Sequence, residues 1–167
     1  LDHEIVDKIE LLIDKIGKAL KFQNCVSHTE VKINDDGIFV IETSPRPGGD
    51  FITSDLVTLS TGIDMEEALI QISLGNLPNL KAGKNRASAV FYFDFGEGIV
   101  KNTAFLEKFK DQKCVEDFAF ELKEGMKIPV IKNSLDRYGY MILTADNRKD
   151  LLELADGYLA EIKARVC

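Results

Sequence analysis

The segment from Glu30 to Asp50, EVKINDDGIFVIETSPRPGGD, constrains the fold of this 167-residue chain more than any other. Two runs rich in β-branched residues, Cys25–Asn34 and Ile38–Ser44, flank the turn residues Asp35-Asp36-Gly37. This pattern is typical of a β-hairpin. A three-residue loop that ends in glycine suits a type I turn followed by a left-handed residue. The sequence therefore predicts a hairpin closed by a three-residue loop.

That loop length predicts which residues of the two strands face each other. The predicted pairs are Asn34 with Ile38, Lys32 with Val40, and Glu30 with Glu42. The two carboxylates would then lie directly opposite, with their Cα atoms roughly 4.5–5.5 Å apart. Like charges so placed are destabilising unless a cation lies between them, and carboxylate oxygens are the ligands that Mg²⁺ takes. Glu30 and Glu42 are therefore candidate metal ligands, and the alternative is a pair of solvated surface acids.

Alternation along the strands divides the hairpin into two faces. We expect the more apolar face to pack against an amphipathic helix predicted over Leu1–Leu20. That face carries Cys25, Ser27, Thr29, Val31, Ile33, Phe39, Ile41 and Thr43. The opposite face carries the two carboxylates and faces a cleft. His28 lies there, two residues before Glu30, and is a candidate contact of a bound cofactor or substrate; the alternative is a hydrogen-bonded wall residue.

The rest of the chain predicts an α+β fold in two parts. An antiparallel β-sheet with flanking helices occupies residues 1–78, residues 79–87 form a linker, and residues 88–167 form a small α+β subdomain. The predicted helices are 53–60, 65–74, 104–110 and 148–165, and the predicted strands of the second part are 88–95, 99–101, 115–122 and 137–145, with 125–131 either loop or edge strand.

Composition restricts the partners. The formal net charge is −7, and no basic stripe interleaved with aromatic residues occurs, so we expect no nucleic-acid partner. No apolar run approaches the ~20 residues of a membrane span, so we expect no membrane partner. The three cysteines, Cys25, Cys114 and Cys167, are scattered, which favours reduced thiols and a cytoplasmic location. The sequence leaves a homodimer open.

Three stretches of the chain resemble the C-terminal part of ATP-grasp ligases. They are HTEVKINDDGIFVIETSPRPGGDF, LVTLSTGIDMEEALIQISLG and, less specifically, RYGYMILTADNRKDLLELADGYLAEIKARV. The family pattern is an acid on one strand, a Glu on the next, an Asn or similar residue two positions later, and an Arg two beyond that. Glu30, Glu42, Ser44 and Arg46 stand at these positions.

The resemblance implies roles for these residues. Glu30 and Glu42 would hold Mg²⁺ (or Mn²⁺) against the phosphates of ATP, and the catalytic Arg46 would stabilise the transferred phosphoryl group. Ser44, in place of the commoner Asn, would make a third metal contact that is weaker or passes through water, and a small residue there fits ligases that join amino acids. Gly48 and Gly49 would let the backbone approach the acyl substrate closely.

The resemblance also implies a function. Such an enzyme activates a carboxylate with ATP as an acyl phosphate, which an amine then attacks. Because the chain begins without Met and the family's ATP-clamping domain is absent from it, we expect a C-terminal fragment that is inactive alone. Missing N-terminal and central domains would complete the sites for ATP and for the small carboxylate and amine substrates. The alternative is a non-catalytic partner-binding or dimerisation module, and a metal-dependent hydrolase is a third reading.

Overall fold

The computed structural model describes residues 2–166, which form two compact units. One comprises residues 2–54 and 63–81, and the other comprises residues 55–62 and 82–166. The helices are α1 (His3–Ala19), α2 (Val57–Thr61), α3 (Met65–Ser73), α4 (Glu107–Lys110) and α5 (Arg148–Val166). The strands are β1 (His28–Asn34), β2 (Gly37–Ser44), β3 (Ala87–Tyr92), β4 (Gly98–Ile99), β5 (Val115–Phe120), β6 (Lys127–Ile128) and β7 (Gly139–Ala145). The predicted α+β class with small antiparallel sheets is confirmed.

The first unit contains α1, the hairpin of β1 and β2, and α3. Asp2 accepts a hydrogen bond from the Glu4 amide at 3.2 Å and so caps α1, while Leu1 lies outside the described residues. Asp64 accepts a hydrogen bond from the Glu67 amide at 2.8 Å and caps α3 in the same way. Within residues 2–166, no helix has both the length and the apolar content needed to cross a membrane.

The turn of the hairpin differs from the prediction. Asn34 pairs with Gly37, so the loop has two residues, and the predicted pairings of Asn34 with Ile38 and of Lys32 with Val40 are wrong. The cause is the Asn34 side chain, which accepts hydrogen bonds from the amides of Asp36 at 3.0 Å and Gly37 at 3.2 Å. This turn, closed by an Asn side chain, reverses the chain one residue early.

A β-bulge then restores the predicted pairing nearer the other end of the hairpin. Val31 pairs with Val40 but Glu30 pairs with Glu42, which leaves Ile41 as the extra residue of β2. The predicted pairing of Glu30 with Glu42 is therefore confirmed, although the turn that predicted it is not the one observed. A one-residue shift without this bulge would have sent the two carboxylates to opposite faces.

The predicted apolar face of the hairpin is wrong for the half of β2 that precedes the bulge. Phe39 pairs with Lys32, whereas Val40 lies opposite Val31. The face is also not a core face, because Ile33 is 37% exposed and Val40 is 39% exposed. The helix α1 has no buried residue. The amphipathic pattern predicted the elements of this unit correctly but not their burial.

The second unit is built on the three-stranded antiparallel sheet β3-β7-β5, in which β7 is central. Its core joins the central strand to α5, since Met141 and Leu143 cluster with Ile162 and Val166 and all four are fully buried. Of the cysteines, Cys25 and Cys114 are free thiols, and Cys167 lies outside the described residues.

The segment around α2 joins the second unit by hydrogen bonds to the start of β3. The Ser88 hydroxyl donates to the Leu56 carbonyl at 2.8 Å, and the Arg86 amide donates to the Ser60 carbonyl at 3.1 Å. The chain therefore contributes α2 to the second unit before it returns to the first unit to form α3. Residues 79–86 contain no helix or strand.

We predict that Gly139→Ala destabilises the second unit by roughly 1–3 kcal/mol, the usual range for overpacking. A Cβ there would lie 2.6 Å from the Ala119 carbonyl oxygen and 2.7 Å from Phe93 Cδ2. Tyrosine fluorescence during urea unfolding reports on this unit alone, because all four tyrosines belong to it. The control is Gly157→Ala in α5, where a Cβ would meet no atom within 4 Å apart from the neighbouring backbone of its own helix. The free energy of unfolding of this variant should rise by about 0.5–1 kcal/mol, because alanine favours a helix more than glycine does. Equal stabilities of the two variants would contradict the packing described.

Candidate functional site

The hairpin brings together the three polar side chains His28, Glu30 and Glu42. Each offers one possible ligand atom, and these atoms all lie within 4.8 Å of one another. His28 Nε2 lies 3.4 Å from Glu30 Oε1. His28 is half-buried, whereas both carboxylates are exposed. Two acids and an imidazole therefore form one cluster on the surface of the first unit.

Strand geometry explains why these side chains meet. His28 and Glu30 are two residues apart on β1 and so point to the same face. Glu42 lies directly across from Glu30, and Ser44 directly across from His28. All four side chains consequently belong to one face of the hairpin, and the bulge at Ile41 is what places Glu42 there.

The cluster fits a divalent cation. No ligand is part of the structure, so the fit depends on the donor set. Carboxylate oxygens suit Mg²⁺ and Mn²⁺, and an octahedral ion places opposite ligands roughly 4.2 Å apart. The observed limit of 4.8 Å requires only small side-chain rotations to reach that spacing. The predicted ligands Glu30 and Glu42 are thus positioned to share one ion.

The loop after β2 positions the remaining predicted site residues. A Cβ on Gly48 would lie 2.8 Å from His28 Nδ1, so only glycine leaves room for the imidazole there. Arg46 is exposed, and its guanidinium donates a hydrogen bond to the Pro47 carbonyl at 2.8 Å. Of the predicted site residues, the structure therefore gathers His28, Glu30, Glu42, Ser44 and Gly48. Arg46 and Gly49 belong to the adjoining loop.

A cavity of about 740 Å³ opens beside this loop, within the first unit. Its lining includes Gly48, Gly49, Thr53, Glu66, Leu69 and Ile70. Thr53 is 94% buried, since its exposed fraction is 6%. The cavity is open to solvent and large enough for a small organic molecule, given that ligand pockets span roughly 300–1,000 Å³.

The backbone along the cavity is strained. Asp50 and Phe51 have φ of 50° and 64°, so two consecutive residues other than glycine adopt the left-handed conformation. Each such residue costs on the order of 1 kcal/mol. Both line the cavity and directly follow Gly49. Strain of this kind is common at ligand sites because the surrounding structure holds it in place.

Sequence reasoning missed most of this cavity. Thr53 lies in a π-helical segment, Ile52–Leu56, and Glu66 lies in α3. No local pattern in the sequence signals that these two residues converge. Leu69 and Ile70 of α3 both line the cavity, and Ile70 is 53% exposed. The one available signal was the Gly48-Gly49 pair, which marks a loop that other groups can approach closely.

Comparisons with known proteins agree with this architecture. Residues 91–166 match the family model for L-amino acid ligase C-terminal domain 2. A phosphoribosylglycinamide synthetase from Anaerococcus prevotii is 20% identical with a TM-score of 0.75, covering 93% of this chain and 40% of that one. An L-amino acid ligase from Bacillus licheniformis is also 20% identical with a TM-score of 0.75, covering 100% of this chain and 41% of that one.

A third similar structure is the biotin carboxylase domain of the 2-oxoglutarate carboxylase from Hydrogenobacter thermophilus. It is 14% identical with a TM-score of 0.61, covers 94% of this chain and 35% of that one, and contains ADP as its magnesium salt with bicarbonate. This chain has the fold of these ATP-grasp structures. The resemblance inferred from the sequence motifs is thereby confirmed.

The extent of these matches is uneven. The chain spans about two fifths of the length of the first two structures that it resembles. A search of curated proteins finds no match. The match to the family model, residues 91–166, lies within the second unit, whereas the paired carboxylates lie in the first.

We predict that replacing one of the paired carboxylates stabilises the metal-free hairpin. Glu30→Gln or Glu42→Gln removes the repulsion between like charges directly opposite each other. This repulsion lowers the stability of the sheet by roughly 0.2–1 kcal/mol. Amide hydrogen exchange of β1 and β2 in the presence of a chelator should show stronger protection in either variant. The control is Asp35→Asn in the turn of the same hairpin, which should leave the exchange protection of β1 and β2 unchanged. Equal protection in all four proteins would contradict a close pairing of the two carboxylates.

Proposed function

We propose that this chain is the C-terminal part of an ATP- and Mg²⁺-dependent ligase that activates a carboxylate as an acyl phosphate for attack by an amine. The finer proposal is a ligase that joins amino acids. The ATP-grasp fold and the match of residues 91–166 to an amino acid ligase domain support both. Since the chain spans about two fifths of its structural relatives, the remaining contacts to ATP and the substrates would come from further segments.

The observation that carries the proposal is the pairing of Glu30 with Glu42. Two carboxylates that face each other on a hairpin repel unless a cation joins them. In this role both residues would bind Mg²⁺ or Mn²⁺ through oxygen atoms. A bound dication would neutralise phosphate charge and hold the γ-phosphate of ATP in line for transfer.

Arg46 is the proposed catalytic residue. Its guanidinium is exposed, and a single hydrogen bond to the neighbouring Pro47 carbonyl orients it. A planar guanidinium matches the oxygens of a transferring phosphoryl group or an acyl phosphate. Ser44 lies on the same face as the two carboxylates, where its hydroxyl would contact the phosphates or a water bound to the metal.

The cavity beside the loop is the proposed site for the organic substrate. Gly48 and Gly49 present backbone rather than side chains to it, so a carboxylate could approach the main-chain amides closely. Leu69 and Ile70 supply an apolar wall. A small amino acid or similar carboxylate is the class of molecule that such a lining suits.

A cytoplasmic location follows from the acidic composition and the scattered cysteines, and it stays a prediction. A non-catalytic module is the competing function for the 167-residue chain. Calorimetry with Mg²⁺-ATP tests the inert module, because tight metal-dependent binding by this chain alone would contradict it. We expect weak binding or none.

The decisive test of the proposal is Glu42→Gln in the complete ligase. Mutation of a residue that only hydrogen-bonds to a metal ligand typically lowers metal affinity or activity by about 10–100-fold. Loss of a ligand itself should therefore lower ATP turnover by roughly 100-fold or more. ADP release measured with a panel of amino acids reports this loss. Asp35→Asn, a carboxylate in the turn of the same hairpin, is the control and should keep full turnover. Normal turnover by Glu42→Gln would contradict the proposal.

A further inference from the structure

The position of His28 carries an inference about the metal site. We propose that His28 Nε2 is the third protein ligand of the dication held by Glu30 and Glu42, and that the site therefore favours Mn²⁺ over Mg²⁺. This inference depends on the metal site of the proposed function. It adds a nitrogen ligand that the resemblance to ATP-grasp ligases does not imply.

The first argument is the distance between donor atoms. His28 Nε2 lies 3.4 Å from Glu30 Oε1, which exceeds the usual 2.7–3.2 Å of an N–H···O hydrogen bond. Neighbouring ligands of an octahedral ion lie roughly 3 Å apart. The pair is therefore spaced more like two ligands of one ion than like a strong hydrogen bond. The Glu42 carboxylate completes the set from the opposite strand.

The second argument is the fit of the imidazole against the loop. A Cβ on Gly48 would lie 2.8 Å from Nδ1 and 3.4 Å from Cε1 of His28, so the absent side chain makes the space in which the ring lies. The His28 side chain is 17% exposed, whereas that of Glu30 is 54% exposed. The loop thus holds the Nδ1 edge of the ring and leaves Nε2 directed towards the carboxylates.

The third argument is the residue opposite His28. Ser44 is its partner in the strand register. A serine hydroxyl is a weaker ligand than an amide oxygen and reaches less far. His28 lies directly across the hairpin from this position. An imidazole there supplies the ligand that the shorter side chain does not.

The donor set determines the preferred ion. Mg²⁺ takes oxygen ligands almost entirely, whereas imidazole nitrogen is a good ligand for first-row transition metals. Two carboxylates with one imidazole therefore shift the preference from Mg²⁺ towards Mn²⁺. The oxygen ligands keep the site suitable for a phosphate-bound ion.

The experiment is pulsed electron paramagnetic resonance of the chain loaded with Mn²⁺ alone. Modulation from a coordinated ¹⁴N nucleus is expected, and it should change when the histidines are labelled with ¹⁵N. The chain has only two histidines, so His3→Gln in α1 is the matched control and should keep the signal. His28→Gln, which offers an oxygen in place of nitrogen, should lose it.

A second variant moves the imidazole without removing it. Gly48→Ala places a methyl group against Nδ1 and should also abolish the nitrogen coupling, while Glu30 and Glu42 stay in place. In competition titrations, His28→Gln should reduce the preference for Mn²⁺ over Mg²⁺ by about 10-fold or more. A nitrogen coupling that persists in His28→Gln, or an unchanged metal preference, would overturn the inference.

The outcomes separate this inference from the proposed function. Mn²⁺ binding that Glu42→Gln abolishes, but that shows no nitrogen coupling in the unmodified chain, overturns the role of His28 and keeps the carboxylate site. Mn²⁺ binding that is insensitive to Glu42→Gln overturns both. The same is true if the chain binds no Mn²⁺ at all.

Discussion

Repulsion between the Glu30 and Glu42 carboxylates acts across the hairpin of the first unit. The hairpin register places the two carboxylates directly opposite each other, where like charges destabilise a sheet. Such an arrangement persists in a folded chain when another requirement, such as a bound cation, compensates for it. The loop that follows β2 brings Gly48 against His28, so the residues around the imidazole come from both the strand and the loop.

In the hairpin, the sequence predicted the pairing of the two carboxylates but not the turn that produces it. The pairing of Glu30 with Glu42 was predicted from a three-residue loop, and the pairing is observed with a two-residue loop. Two deviations of one residue each cancel, because the Asn34 side chain closes the turn early and Ile41 bulges out of β2. Neither event has a strong local signal: an Asn before two acids suits several turn types, and a bulge looks like ordinary strand sequence.

Burial was predictable in one unit and not in the other. In the second unit, the alternating strands and the long α5 meet in one core, so pattern and burial agree at residues such as Met141 and Ile162. In the first unit, the apolar stripe of α1 and the exposed Phe39 and Ile41 show the pattern without the burial. Periodicity predicts which face of an element is apolar, whereas burial depends on what packs against it. The cavity beside Gly49 was missed for the same reason, since Thr53 and Glu66 converge only in three dimensions.

One dication is proposed to bind between the paired carboxylates of the hairpin. An anomalous difference map from crystals of the chain soaked in Mn²⁺ would locate this ion. A single strong peak is expected in contact with the Glu30 and Glu42 carboxylates. A map with no peak there, or with the ion bound by other residues, would contradict it.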